Sequence, residues 1–181
     1  MNFDEYAAHD ALGLAELVRK GEVSVAELEE TARRGIEAVN GTINAVVGDV
    51  PLAEGRQETS SDAVFHGVPF LLKDLAHGYA GVPCEMGSRM GVGYINSAES
   101  VYGTRCKASG LVAVGRTNTP EFGQSGTTEP VANGSTLNPY DLAVSAGGSS
   151  GGAAAAVAAG VVPIAHASDA GGSIRIPAGW T

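Results

Sequence analysis

The chain has few cysteines and lacks any long apolar run. Only Cys84 and Cys106 occur among its 181 residues, so we expect free thiols rather than a disulfide framework. No apolar run reaches ~18 residues, which argues against a transmembrane helix. The first residues show neither the basic nor the apolar segment of a secretion signal, so a cytoplasmic protein is expected.

Basic residues are also scarce. Eleven lysines and arginines stand against 20 aspartates and glutamates, which gives a net charge of −9 at pH 7. Nucleic acids and anionic membranes are bound through clustered positive charge, so neither is expected as a partner. The histidines show no spacing typical of metal ligands, and no G-x-x-x-x-G-K-[ST] phosphate loop is present.

Glycine, by contrast, is abundant. The chain has 26 glycines, about twice the ordinary ~7% usage, and most of them follow residue 78. Apolar segments alternate with these glycines, which is typical of a site built from loops rather than of a linker. Hydrophobic residues make up 44% of the chain, as in globular proteins.

Local patterns predict alternating helices and strands. Asp10 is predicted to cap a helix that runs to Lys20, and a Ser24–Glu27 capping box to open a second helix that Gly41 ends near residue 40. Further predictions are strands at 43–47, 68–72, 111–114 and 161–165, helices at 100–109 and 153–159, a polar helix or loop at 51–62, and a loop at 76–98. This alternation indicates a layered α/β fold.

Two glycine-rich segments carry serine. Gly147–Gly152 reads GGSSGG, and Asp169–Arg175 reads DAGGSIR. Without a side chain, glycine lets consecutive backbone N–H groups approach a ligand and form an anion-binding concavity. A serine at the tip of such a turn can attack a carbonyl while neighbouring amides stabilise the oxyanion.

Lys73 directly follows the apolar segment Val68–Leu72. A lysine carried into a core loses hydration, which lowers its pKa, and a neutral amine is a competent general base. Taken alone, a lysine at a strand end is more often exposed or ion-paired, and Asp74 could supply the partner. The two serine loops favour the catalytic interpretation.

Ser149 has a second interpretation, because GGSSG satisfies the G-x-S-x-G pattern of the α/β-hydrolase nucleophile elbow. That elbow needs a preceding strand, and residues 141–146 form only a poor one. It also needs an acid and then a histidine downstream, whereas His166 precedes Asp169 here. An esterase of this kind, with Ser149 as nucleophile, stays open because a longer chain could hold the missing residues.

Three motifs occur in this order: LLKDL at Leu71–Leu75, GGSSGG and DAGGSIRIPA. Ser173 of the third motif follows Ser149 of the second by 24 positions. Together they resemble the amidase signature family from about Leu12 to the last residue. The resemblance implies a serine hydrolase of carboxamides without metal or cofactor, on a mixed β-sheet core covered by helices. It also implies an N-terminal helical scaffold at 1–62 and, at 63–181, the first part of a catalytic domain that continues beyond this chain.

The same resemblance implies the roles of the site residues. Ser173 would be the nucleophile, Ser149 a bridging serine held by a cis peptide bond, and Lys73 the base that completes a Ser–Ser–Lys triad. The expected oxyanion hole consists of four consecutive backbone amides, those of Ala170, Gly171, Gly172 and Ser173.

Other polar residues of the motifs are expected to hold the loops rather than to react. They are Ser150, Ser168, Asp169 and Arg175, and the last two are expected to form a buried ion pair. Cys84, in a glycine-bounded loop, could approach the site, although a free cysteine is more often core filling.

The expected partners are a small amide substrate and the remainder of the fold, in the same or a second chain, and a homodimer is left open. An amidotransferase-type subunit that hands ammonia to a partner protein is the other function considered. Such a subunit would carry S-I-R-Q-P, whereas Ile176 occupies the glutamine position here. The segment Thr127–Pro130 before Asn138 also favours the free-standing amidases.

Overall fold

A computed structural model describes residues 1–50 and 60–181. The helices are α1 (Phe3–Ala7), α2 (Ala11–Arg19), α3 (Val25–Ile43), α4 (Val101–Ala108), α5 (Gly151–Ala158) and α6 (Arg175–Trp180), with a 3₁₀ turn at Glu121–Gly123. The strands are β1 (Val46–Asp49), β2 (Pro69–Lys73), β3 (Val112–Thr117), β4 (Leu137–Asn138) and β5 (Asp141–Ser145). None of the helices in these ranges is long and apolar enough to span a bilayer. The predicted helix or loop at 51–62 falls mostly outside the described residues.

The main sheet is mixed, as predicted. Its strand order is β1–β3–β2, with β1 antiparallel and β2 parallel to β3. Every residue of β2 and β3 is buried, because α3 and α5 pack on these strands. Strands β4 and β5 form a separate antiparallel pair. The α/β class with a mixed sheet covered by helices is therefore confirmed.

One hydrophobic core links the N-terminal helices to the sheet. Leu14 of α2, Leu28 of α3 and Phe70 of β2 are all buried in it. The buried Tyr6 hydroxyl also donates to the carbonyl of Val161, 3.2 Å away, so α1 is tied to the segment that follows α5. The division into a scaffold at 1–62 and a catalytic part at 63–181 stays a prediction.

The predicted caps are present, but α3 ends later than expected. Asp10 accepts from the Gly13 N–H, and Ser24 and Glu27 form the capping box. Helix α3 passes through Gly41 and ends at Ile43, where Asn44 adopts a left-handed conformation with φ 48°. The Asn44 side chain donates to the carbonyls of residues 133 and 135, so these tertiary contacts decide the end of the helix. The predicted strand at 43–47 consequently starts only at residue 46.

The predicted strand at 161–165 is wrong. Only one isolated parallel bridge, between Ala165 and Leu71, joins this segment to β2, and the next residue, His166, donates its N–H to the Leu71 carbonyl. Pro163 has no N–H to donate in the middle of the segment, which is incompatible with a continuous ladder. The segment nevertheless runs beside β2 and delivers the second serine loop to the end of that strand.

Candidate active site

Lys73 lies at the C-terminal end of β2, where its side chain is fully buried. Its Nζ atom is 2.8 Å from Oγ of Ser149 and 3.0 Å from Oγ of Ser168. Burial lowers the pKa of Lys73 to about 8, and the charge of Asp169 partly opposes this shift. A substantial neutral fraction therefore exists in mildly alkaline solution, as a general base requires.

The adjacent Asp74 does not pair with Lys73. It is fully buried, and its carboxylate receives a hydrogen bond of 2.7 Å from the Arg116 guanidinium and one of 2.9 Å from the Glu85 N–H. This carboxylate therefore anchors the loop after β2 to β3. The ion pair between Lys73 and Asp74 that the sequence left open is therefore not observed.

Ser149 lies in a turn whose backbone is closely packed against neighbouring backbone carbonyls. A cis peptide bond joins Gly148 to Ser149, and the Ser149 carbonyl accepts from the Thr119 hydroxyl at 2.9 Å. A Cβ atom on Gly148 would lie 2.9 Å from the carbonyl oxygen of Ser125 and 2.8 Å from that of Thr127. Glycine is thus required before the serine because two backbone carbonyls pass over it.

Ser173 lies in the loop that precedes α6. Its carbonyl accepts from the Ser150 N–H at 3.2 Å, which ties this loop to the start of α5 directly after Ser149. Among the described residues, the Ser173 hydroxyl has no hydrogen-bond partner. Lys73 therefore contacts Ser149 directly. The Ser173 loop is tied to the neighbouring residue, Ser150, by a backbone hydrogen bond.

The Asp169 carboxylate shapes the Ser173 loop. It accepts the N–H groups of Gly172 at 2.8 Å and Ile174 at 3.1 Å, and it pairs with the Arg175 guanidinium at 2.9 Å. These contacts, the Arg175 hydrogen bond first, hold the pKa of Asp169 well below its usual range. The expected buried pair is wrong in one respect, since the Arg175 side chain is 77% exposed.

The four amides expected to form the oxyanion hole differ in their environment. The Gly172 N–H is already donated to Asp169. The other three have no hydrogen-bond partner within the described part of the chain; they belong to Ala170, Gly171 and Ser173. Two of these amides directly precede Gly172 and the third directly follows it, so among the described residues these three amides of the loop are free to meet a ligand.

One histidine, His166, lies close enough to Lys73 to interact with its charge. Burial first, and then the neighbouring His77 and Lys73, lower the pKa of His166 to about 4, so its imidazole is neutral. The ring of His166 lies against that of Tyr102, with centroids 4.8 Å apart. Cys84 is buried, which raises the pKa of its thiol. Across residues 1–50 and 60–181, no three acidic, histidine or cysteine side chains are grouped as metal ligands.

Sequence reasoning missed the contact between Ser168 and Lys73. Ser168 was expected only to hold the loop, and no spacing rule relates it to a lysine 95 positions earlier. One signal was present, because Ser168 directly precedes Asp169 in the motif that carries Ser173. A residue beside the loop that is predicted to carry the nucleophile is a reasonable candidate for a contact with the predicted base.

The structure thus places a buried lysine in contact with one serine and near a glycine-rich loop that carries a second serine, on an α/β scaffold. The Amidase family model matches residues 27–181, and the chain belongs to the amidase signature family. The 6-aminohexanoate-cyclic-dimer hydrolase of Paenarthrobacter ureafaciens is 47% identical over 174 residues, which are 93% of this chain and 35% of that relative.

Solved structures show the same likeness. A structure of 6-aminohexanoate cyclic dimer hydrolase superimposes with a TM-score of 0.89 at 44% identity, covering 95% of this chain and 36% of that one. A bacterial aryl acylamidase of the amidase signature family superimposes with a TM-score of 0.86 at 34% identity, covering 96% of this chain and 38% of that one. The chain thus spans little more than a third of the proteins it matches.

Proposed function

We propose that the protein hydrolyses carboxamides through an acyl-enzyme on Ser173, with Lys73 and Ser149 as a proton relay. The observation that carries this proposal is the 2.8 Å contact between Lys73 Nζ and Ser149 Oγ at a site where burial lowers the lysine pKa. A charged lysine could only donate to the serine, whereas a neutral one can accept its proton.

In the proposed reaction, neutral Lys73 takes the proton of the Ser149 hydroxyl while Ser149 takes that of Ser173. The Ser173 oxygen then bonds to the amide carbonyl carbon, and the negative charge on the carbonyl oxygen is met by the free N–H groups of the loop. The relay returns the proton to the leaving amine as the C–N bond breaks. Water, activated by the same relay, cleaves the ester and releases the carboxylic acid.

The alternatives have less support. A nucleophile elbow needs its serine at the end of a strand of the main sheet, yet among the described strands β5, which precedes Ser149, pairs only with β4. For an amidotransferase-type subunit, residue 176 would be glutamine, and Ile176 cannot offer an amide to a ligand.

The first substrate to test in the full-length protein is the 6-aminohexanoate cyclic dimer, because of the 47% identical relative. A set of linear amides that share one acyl group and differ in the amine should follow, with hydroxylamine added. Because all of them pass through one acyl-enzyme, the ratio of hydroxamate to acid should not depend on the leaving amine. A ratio that follows the amine, or no hydrolysis of any amide, would contradict the proposal.

We further propose that the active protein includes the remaining part of the family fold, in the same or a second chain, and that this part covers a groove between α5 and α6. The groove has a volume of about 450 Å³ and is mostly apolar. Tyr140, Val157 and Ile174 line it and are exposed. The chain matches only 36% of a related structure, so the remaining part of such a structure is large enough to cover these side chains.

This covering predicts a large effect of Val157→Asp in the full-length protein. An unpaired charge buried beneath the added part should lower the free energy of unfolding by roughly 3 kcal/mol or more. The matched change Leu12→Asp, at an exposed site on α2, should cost less than about 0.5 kcal/mol. Equal effects of both changes in thermal or urea unfolding would show that the groove stays open.

A further inference from the structure

We propose that Ser168 is a positioning residue that orients the amine of Lys73 toward Ser149. This inference rests on the proposed function, in which Lys73 acts as a neutral base. It assigns to Ser168 a role in the proton relay rather than in holding the loop alone.

The argument starts from the hydrogen-bonding capacity of the amine. Neutral Nζ has two N–H donors and one lone pair, and two hydroxyl oxygens lie within hydrogen-bond distance of it. If the lone pair is to receive the Ser149 proton, an N–H must point elsewhere. The Ser168 oxygen, at 3.0 Å, is positioned to accept that N–H, and we infer that this contact orients the amine with its lone pair toward Ser149.

Ser168 is itself fixed on both sides. Its backbone N–H faces the Ser150 oxygen at 3.4 Å, and its carbonyl faces the same hydroxyl at 3.4 Å. Two residues earlier, the His166 N–H is bonded to Leu71 of β2 at 2.7 Å. One residue later begins the loop that the Asp169 carboxylate organises. The backbone that carries the Ser168 hydroxyl is therefore held beside Lys73.

The charged and titratable groups around Lys73 do not supply another orienting contact. Asp169 raises the lysine pKa through its charge but directs its hydrogen bonds to its own loop and to Arg175. His166 is neutral near pH 7, and Asp74 is paired with Arg116. The two serine hydroxyls are the only hydrogen-bond partners of Nζ among the described residues.

The sign of the effect on pH dependence follows from the charge of the donor. A hydroxyl oxygen accepts more strongly from an ammonium than from a neutral amine, so Ser168 favours the charged form of Lys73. Removing the hydroxyl should lower the lysine pKa further. The acidic limb of the pH–rate profile should then move to lower pH, while the plateau falls because the amine is no longer oriented.

The experiment measures how fast phenylmethanesulfonyl fluoride inactivates the full-length protein as a function of pH. Ser168→Ala should move the acidic limb to lower pH and reduce the plateau rate roughly tenfold, the scale of one lost hydrogen bond. Ser168→Thr keeps the hydroxyl and should restore both quantities. Ser150→Ala, which loosens the loop without touching Lys73, should reduce the plateau but leave the limb in place.

Three results would overturn the inference: an unmoved limb in Ser168→Ala, a limb moved to higher pH, as water entry would cause, or no recovery in Ser168→Thr. If Ser168→Ala does not fold, Ser168→Cys tests the same point with a weak acceptor of similar shape. Failure of the proposed function itself would be visible in the unmodified protein, as an adduct on a residue other than Ser173 or as a rate without an acidic limb.

Discussion

Full-length protein carrying Ser173→Ala is expected to form no adduct with phenylmethanesulfonyl fluoride and to hydrolyse no amide at a measurable rate. In the proposed mechanism the covalent step has no other nucleophile, since the Ser149 hydroxyl is buried and hydrogen-bonded to Lys73. Ser173, by contrast, is half-buried, and its hydroxyl has no hydrogen-bond partner in the described structure. Peptide mapping of the labelled, unmodified protein by mass spectrometry should place the sulfonyl group on Ser173.

Ser149→Ala is the matched control for this experiment. It removes a hydroxyl from the relay but leaves the nucleophile, so labelling should be slowed by about 10²–10³ rather than abolished. The change is small enough for the turn, because the backbone contacts of residue 149 remain. An adduct on Ser149, together with activity in Ser173→Ala, would instead support the elbow hydrolase that the G-x-S-x-G pattern allows.

Much of this site could be predicted because its parts depend on local chemistry. The apolar segment Val68–Leu72 favours a buried strand, the two serine loops favour a lysine buried at its end, and β2 shows both features. The predicted cap residues Asp10 and Ser24 begin helices through contacts within the first turn, which a sequence displays directly. The glycine before Ser149 likewise marks a close approach of the backbone.

Long-range contacts decided what could not be predicted. Asn44 ends α3 because of carbonyls some 90 residues later, so Gly41 gave a misleading signal. The segment at 161–165 has an apolar composition suited to a strand, but Pro163 prevents a continuous ladder. Helix α6 accommodates Pro177 since it lies in the first turn, where a missing N–H costs little.

The geometry of the site also depends on the tertiary structure and could not be predicted from the motifs. That Asp169 would take the Gly172 N–H, and leave Arg175 largely exposed, depends on how one loop closes on a carboxylate. The contact between Ser168 and Lys73 depends on which strand lies beside which segment. Neither follows from motif spacing, because spacing records order along the chain and not the direction of a side chain.

Replacing Lys73 should have the second largest effect on catalysis. Lys73→Met keeps the length of the side chain and its burial but removes the base, and amide hydrolysis by the full-length protein should fall by ~10³ or more. In the unmodified protein, the rate should rise with pH and level off above about 8, because burial lowers the pKa of Lys73 to about 8 and only the neutral amine accepts a proton. Below that pH the rate should fall tenfold per pH unit. The residual rate of Lys73→Met should lack this limb.

Lys73→Arg separates the loss of the base from the loss of a buried cation. Arginine stays charged at every accessible pH, so this variant retains a cation and hydrogen-bond donors beside Ser149 but cannot accept the proton. If the lysine acted only by its charge, Lys73→Arg would keep a large part of the activity and would show no alkaline requirement. If it acts as the base, both variants lose the limb and the rate together, while circular dichroism and thermal unfolding show that they remain folded. A limb near pH 8 that persists in Lys73→Met would assign the titration to another group and remove the lysine from the relay.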